Sequence, residues 1–278
     1  MKQWLAGLAG KSGRRPGWLG IYAGMLMLWA CACLAQPATT SAKDHLSIVL
    51  GSDEWPPYLG SSLPYNGILS RVVSAAFARS NVAVSYRFLP NNRSLQSARN
   101  GTVDGSLGWA FSTERQLDLL YSQPILTARM VFFQRKGAER HWSQLTELAG
   151  LRIGITIGNY YSDEFERLMQ QGVLHTDAAA DDLSNLRKLL ARRIDLFPAD
   201  EEVGRYLLSH NFSPVHASQL SSSQPFWLAP LHVVIWRRHI HGEELITRFN
   251  QGLQALHESG EFERMVRETR QACLRNQS

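Results

Sequence analysis

The sequence predicts an α/β protein of two lobes joined by a hinge. Three observations carry that reading. A β-α-β-α-β run extends over residues 46–109, a second β-α-β unit restarts at Leu151, and a late strand with two long closing helices belongs to neither run. Alternating strands and helices build a parallel or mixed sheet with helices packed on it. At 278 residues the chain can bury two modest cores. Its 44% apolar and 19% charged residues exclude a disordered polymer.

Before the first strand lies a leader. Lys2, Lys11, Arg14 and Arg15 precede an apolar run over 17–34, and Cys33-Leu34-Ala35 then offers a small-residue exit. That order predicts a secretory signal peptide over 1–35, cleaved to leave the protein in the periplasm, and a Ser/Thr/Ala/Pro linker over 36–43. The competing reading is a membrane anchor, but the run is near the lower length limit for a span and no basic stop follows it. The whole chain has 29 Lys+Arg and 24 Asp+Glu, a net charge of +5. Removing the four leader bases leaves 25 against 24, or +1. The basic balance is thus partly a targeting signal and gives no case for nucleic-acid binding. Cys31 and Cys33 leave with the leader, so Cys273 remains without an internal disulfide partner.

The first strand is the apolar run Leu46–Ser52. Asp53-Glu54-Trp55-Pro56-Pro57-Tyr58 follows, an extended loop showing two aromatics where open α/β sheets bind ligands. Residues 67–79 carry Ile68, Val72, Val73, Ala76 and Phe77 on one helical face, and 82–89 alternate as a strand. A second helix, capped by Asn91 or Asn92, ends at Asn100-Gly101. A strand over 103–109 then meets a polar turn with Ser112, Thr113 and Arg115. An arginine just past a strand end is well placed for a two-pronged hydrogen bond to a carboxylate. The alternative for Arg115 is a structural ion pair with Asp104 or Asp118.

Residues 127–134 form a further strand, and 151–158 open the second unit. Asn159-Tyr160-Tyr161-Ser162 caps a helix over 163–171, and its free N–H groups and dipole suit an anion. A helix over 183–193, a strand over 194–198 and a helix over 200–208 follow. Residues 209–225 are a polar, Ser-rich connection, 231–236 a last strand, and 243–256 and 261–269 closing helices broken at Ser259-Gly260.

In this order the motifs resemble the type 2 periplasmic solute-binding proteins, specifically family 3, the polar-amino-acid-binding proteins of ABC importers. Trp55-Pro56-Pro57-Tyr58 follows strand one. Gly101-Thr102-Val103-Asp104-Gly105 resembles a Gly-x-x-Asp strand entry. Ser112-Thr113-Glu114-Arg115 and Tyr121-Ser122-Gln123-Pro124 resemble Thr-x-x-Arg and Phe-Ser-x-Pro elements. Leu148-Ala149-Gly150 through Gly158, Arg193-Ile194-Asp195 with Asp200, and Gly260-Glu261-Phe262 complete the set, which spans about 46–268. The resemblance implies a two-lobed periplasmic-binding-protein-like fold (type 2), with mixed sheets and a hinge. The first lobe would be 44–129 and 230–278, the second 130–229. It implies that Arg115 binds a ligand α-carboxylate, Asp200 its α-ammonium, and Trp55 or Tyr58 covers it, with Asn159 and Tyr160 as donors and Trp109, Ser112 and Thr113 as neighbours. The ligand would be an amino acid or other small carboxylate, held without cofactor or metal by a monomer that serves an ABC permease or a membrane sensor. The sequence departs from the family at Gly67-Ile68-Leu69-Ser70-Arg71, which lacks the usual acidic opening, and at Trp109-Ala110-Phe111, where small polar residues are common.

The case for an enzyme is thin. Gly-x-Ser-x-Gly and phosphate-binding Gly-rich Lys-Ser/Thr motifs are absent from the sequence. His239 and His241 are the one close histidine pair, too few ligands for a metal. Some proteins resembling this fold, such as cyclohexadienyl dehydratases, use a pocket carboxylate as acid. Asp53, Glu54 and Glu201 are the candidates for such a lyase.

Overall fold

The computed structural model describes residues 46–89 and 93–275. The expected signal peptide, the linker and the Asn91/Asn92 cap lie outside the described residues.

Strand β1 (Leu46–Ser52) runs parallel to β2 (Val82–Phe88) and to β3 (Gly105–Ala110). Between them, α1 (Ile68–Arg79) buries Ile68, Leu69, Val72, Val73, Ala76 and Phe77. This is the stripe that 3.6-residue periodicity predicts, and each large side chain in it contributes about 1.5–3 kcal/mol by leaving water. Helix α2 (Arg93–Arg99) leads to β3. That strand begins at Gly105 and not, as the sequence predicts, at Val103. The Asp104 carboxylate itself accepts from Val49 N–H at 2.7 Å, replacing a ladder bond.

After β4 (Leu119–Tyr121) come two long strands, β5 (Leu126–Arg135) and, much later in the chain, β10 (Trp227–Trp236). They pair antiparallel over 126–130 and 227–231. The far half of β10 then pairs with β3, while the far half of β5 pairs with β8 (Phe197–Asp200). One curled sheet therefore runs β2-β1-β3-β10-β5-β8 through both lobes, and β5 and β10 are its crossing strands. The sequence predicts the last strand from Leu231, but pairing with β5 extends it back to Trp227.

In the second lobe β6 (Arg152–Thr156) pairs parallel with β7 (His175–Ala179), flanked by α3 (Asp163–Gln170) and α4 (Asp182–Leu190). The predicted strand over 194–198 is shifted to β8, because 196 makes only an isolated bridge to Ile153. Helix α5 (Glu201–Asn211) follows directly. The Ser-rich connection is not featureless: it folds a one-turn α6 (Pro214–Ala217) and β9 (Leu220–Ser222), the latter paired to β5.

Helices α7 (Gly242–Glu258) and α8 (Glu261–Arg275) close the first lobe, and α7 packs on α1. The approach is possible because residue 252 is glycine; a Cβ there would sit 1.9 Å from the Ala76 carbonyl oxygen. Cys273 is a buried, free core thiol. His239 Nε2 bonds the Asp104 carboxylate at 3.1 Å, which ties the histidine pair to the strand entry.

Candidate functional site

The C-terminal ends of β1, β3, β6 and β8 converge on one cleft of about 400 Å³. Asp53, Trp55, Trp109 and Arg115 come from the first lobe. Thr156, Asn159, Tyr160, Asp182 and Asp200 come from the second, and Met130, Trp227, Ala229 and Leu231 of the crossing strands form the floor.

Arg115 opens a 3₁₀ turn, Arg115–Leu117, just after β3. Its guanidinium lies 5.3 Å from the Trp109 ring centre and 5.7 Å from that of Tyr160 across the cleft. Among the described residues no carboxylate pairs with it. Asp118 is taken by Arg99 at 2.7 Å, and Asp104 by Val49 N–H and His239. The alternative of a structural ion pair is thereby removed. Burial lowers the pKa of Arg115, as expected for a cation withdrawn from water without a counter-charge.

Asp200 is the N-cap of α5 and is only 2% exposed. Its Oδ1 accepts from the N–H groups of Glu202 at 2.9 Å and Val203 at 3.0 Å, and its Oδ2 accepts from Arg129 N–H at 2.9 Å. Burial pushes its pKa up to about 6 despite these bonds. A carboxylate has about four acceptor positions, so one is left for a ligand donor.

Other acids share the cleft. Asp53 and Asp182 are each raised to about 6, mainly by burial, and Asp182 accepts from the Thr156 hydroxyl at 2.5 Å. Glu54 accepts from the Ser61 hydroxyl at 2.6 Å, and Asp181 caps α4 by accepting from Ser184 N–H. Among the described residues, five carboxylates (Asp53, Glu54, Asp181, Asp182, Asp200) thus line the cleft with a single guanidinium.

Several expected site residues lie elsewhere. Tyr58 is 3% exposed and points away from the cleft; its hydroxyl donates to Glu202 at 3.3 Å. Ser112 and Thr113 do not line the cleft, and Thr113 is exposed. Phe111 packs on Tyr121, so the aromatic wall is Trp109, Trp55 and the edge-on pair Tyr160–Trp227. The turn at Asn159-Tyr160 is also a poor anion site. Ser162 already caps α3, and Asp163, Glu164 and Glu166 crowd its first turn, so the helix dipole is answered from within. Glu201 is salt-bridged to Arg129 and Arg205, outside the cleft. The sequence reading missed Asp181, Asp182 and Thr156. An Asp pair before an apolar run signals a helix start, but its place beside the cleft depends on β7, which has no apolar pattern.

Residues 48–269 match the family described as bacterial extracellular solute-binding proteins, family 3. No curated protein matches the sequence. Among solved structures, a histidine kinase sensor domain with similarity to periplasmic binding proteins is 20% identical, with a TM-score of 0.66 over 81% of this chain and 96% of that one. The amino acid ABC transporter substrate-binding protein AbpA from Streptococcus pneumoniae, bound to L-arginine, is 17% identical, with a TM-score of 0.67 over 83% and 97%. The ancestral amino-acid-binding protein AncCDT-1, a precursor of cyclohexadienyl dehydratase, is 15% identical, with a TM-score of 0.63 over 80% and 94%. At these identities the likeness is one of fold, the two-lobed fold of periplasmic binding proteins.

Proposed function

This chain belongs to the bacterial extracellular solute-binding proteins of family 3, and from that premise we propose that it captures an amino acid between its lobes. The observation that carries the reading is the unpaired guanidinium of Arg115, in a cleft whose other wall holds the buried carboxylate of Asp200. Arg115 takes the ligand carboxylate with two hydrogen bonds, and Asp200 takes its ammonium. Trp55 and Trp109 cover the apolar part, with Tyr160 completing the wall. A ligand that engages both lobes favours the closed state. The hinge crossings fall at residues 129/130 and 229/230, within β5 and β10. The acid excess of the cleft disfavours anionic side chains, so neutral and basic amino acids, L-arginine among them, rank above L-glutamate. Relatives of this fold bind arginine or serve as a kinase sensor domain, and both roles suit an exported monomer that delivers its closed form to an ABC permease or a membrane sensor.

A lyase on the same fold is the second reading. It is favoured by three cleft carboxylates with pKa values near 6, a range that suits a general acid. Calorimetry and thermal shift against a panel of amino acids decide between them. Saturable heat and a raised Tm without turnover support the binder; continuous product formation sinks it.

A further inference from the structure

The crossing strand β5 borders two cavities. Ala128 and Met130 line the ligand cleft, whereas Thr127 and Arg129 line a second cavity of about 620 Å³. Alternate residues of a strand point to opposite faces, so the cavities lie back to back across the hinge. At the rear, the first lobe contributes Tyr58 and Arg270 of α8, and the second contributes the first turn of α5. A charged cluster joins them. Arg270 donates to both oxygens of Glu202 through Nε and Nη2, the latter at 3.0 Å, and the Tyr58 hydroxyl donates to Glu202 Oε2 at 3.3 Å. On the cleft side, the ligand-binding groups Arg115 and Tyr160 approach each other only through a ring face at 5.7 Å. A two-pronged ion pair is the stronger tie of the two.

We propose that Tyr58, Glu202 and Arg270 form a rear latch that resists closure of the ligand-free protein and yields when ligand draws the lobes together. The proposal rests on the reading of the front cleft as the ligand site and of β5 and β10 as the hinge. When two bodies pivot about a strand pair, narrowing the gap on one face widens it on the other. Closure on ligand therefore pulls α5 away from α8. The latch is also tied to both walls of the cleft. Glu202 N–H is held by Asp200 Oδ1, so the latch carboxylate shares the first helical turn with the ammonium partner. Tyr58 packs on Trp55, ring centres 4.9 Å apart, so the latch phenol shares a loop with the aromatic cover. Tyr58, Glu202 and Arg270 are positioning residues: they set how much of the protein is ready to close and touch no ligand. Apparent affinity scales with that fraction.

The test uses Glu202→Gln and Arg270→Gln in the full chain, with L-arginine as probe. Each variant binds about two- to fivefold tighter than wild type by calorimetry, the range expected for losing one partly exposed ion pair. The double variant gains no more than either single one. Small-angle scattering of the ligand-free variants shows a smaller radius of gyration than ligand-free wild type. Unchanged or weaker binding, with an unchanged radius, overturns the latch. If wild type binds no amino acid, the cleft reading fails, while the scattering comparison still decides the latch. Tyr58→Phe removes one hydroxyl and gives the same direction at about twofold, should the charge variants fail to fold.

Discussion

Replacing Arg115 by alanine separates a ligand anchor from a structural arginine. A structural arginine holds acceptors of its own fold, and its loss unsettles them. Among the described residues Arg115 holds none; its guanidinium contacts ring faces at 5.3 and 5.7 Å, and burial lowers its pKa. Without ligand it is a desolvated cation with little return. Arg115→Ala therefore leaves the unliganded fold within about 0.5 kcal/mol of wild type, or stabilises it, as happens when a functional site carries unfavourable chemistry. With ligand the balance reverses. Truncating one partner of a desolvated, two-pronged charge pair costs about 2–5 kcal/mol, which is a loss of about 30-fold to several thousand-fold in Kd. Arg115→Lys keeps the charge without the planar fork and falls between, at about 1–2 kcal/mol. Calorimetric titration with L-arginine and L-glutamine reads the affinity, and thermal denaturation of the same samples without ligand reads the fold. An unchanged Kd refutes the assignment. So does a fall of several degrees in the ligand-free Tm, which would make Arg115 a member of the structure's own ion pairs.

Asp200→Asn keeps an acceptor for the N-cap bonds to Glu202 and Val203 but removes the charge and turns an amide NH2 toward the Arg129 N–H. Affinity for amino acids falls by at least tenfold, and the lost Arg129 bond lowers stability by about 1 kcal/mol in urea; Asp200→Ala loses the cap bonds as well, with about 2–3 kcal/mol of stability. The acid titration has opposite signs for folding and for binding. Asp53, Asp182 and Asp200 titrate near 6 when folded, above the ordinary 3.8. A raised folded pKa contributes stability that is complete below the unfolded pKa and is lost as pH rises through the folded one. The urea midpoint of the ligand-free protein therefore rises between pH 7.5 and pH 5. Asp195 does not offset this in that window: its pKa is held down at about 2, chiefly by hydrogen bonds from Arg152, so its contribution persists until the pH drops below the ordinary carboxylate range. Over the same interval Kd weakens about tenfold, because protonated Asp200 no longer answers an ammonium. A midpoint that falls on mild acidification, or a Kd indifferent to it, contradicts the assignment of those charges. Gly252→Ala drives a Cβ into the Ala76 carbonyl between two backbones that cannot yield, and costs about 3 kcal/mol in chemical denaturation.

The parts of this fold that were legible in the sequence are those whose hydrophobic period is strong. Helix α1 shows its buried stripe in Ile68, Val72, Val73, Ala76 and Phe77, and β1 starts and stops where its apolar run does. Strand β7 was not legible. His175, Thr176, Asp177 and Ala178 are all exposed, and pairing to β6 alone makes them a strand. The first half of β10 is hidden by Pro230, which reads as a strand boundary, whereas pairing to β5 carries the strand through it.

The site divides along the same physical line. Trp55, Trp109, Arg115, Asn159, Tyr160 and Asp200 all reach the cleft because each lies at or just beyond a strand's C-terminal end, and a strand end is a position that sequence can mark. Which way a neighbouring side chain then faces is a tertiary matter. Trp55 and Tyr58 sit on one loop with rings in contact and tilted at 44°, yet one lines the cleft and the other meets Glu202 behind it. Asp200 shows why the distinction matters for function. As the N-cap of α5 it accepts from the Glu202 and Val203 N–H groups, and the Arg129 N–H of β5 holds its other oxygen. The cap fixes a buried carboxylate at the boundary of two cavities, with the cleft on one side and the Glu202 cluster on the other. A residue bound so firmly to its own helix cannot move alone. Any ammonium that pulls on Asp200 pulls on the first turn of α5, and through it on the contact between the lobes.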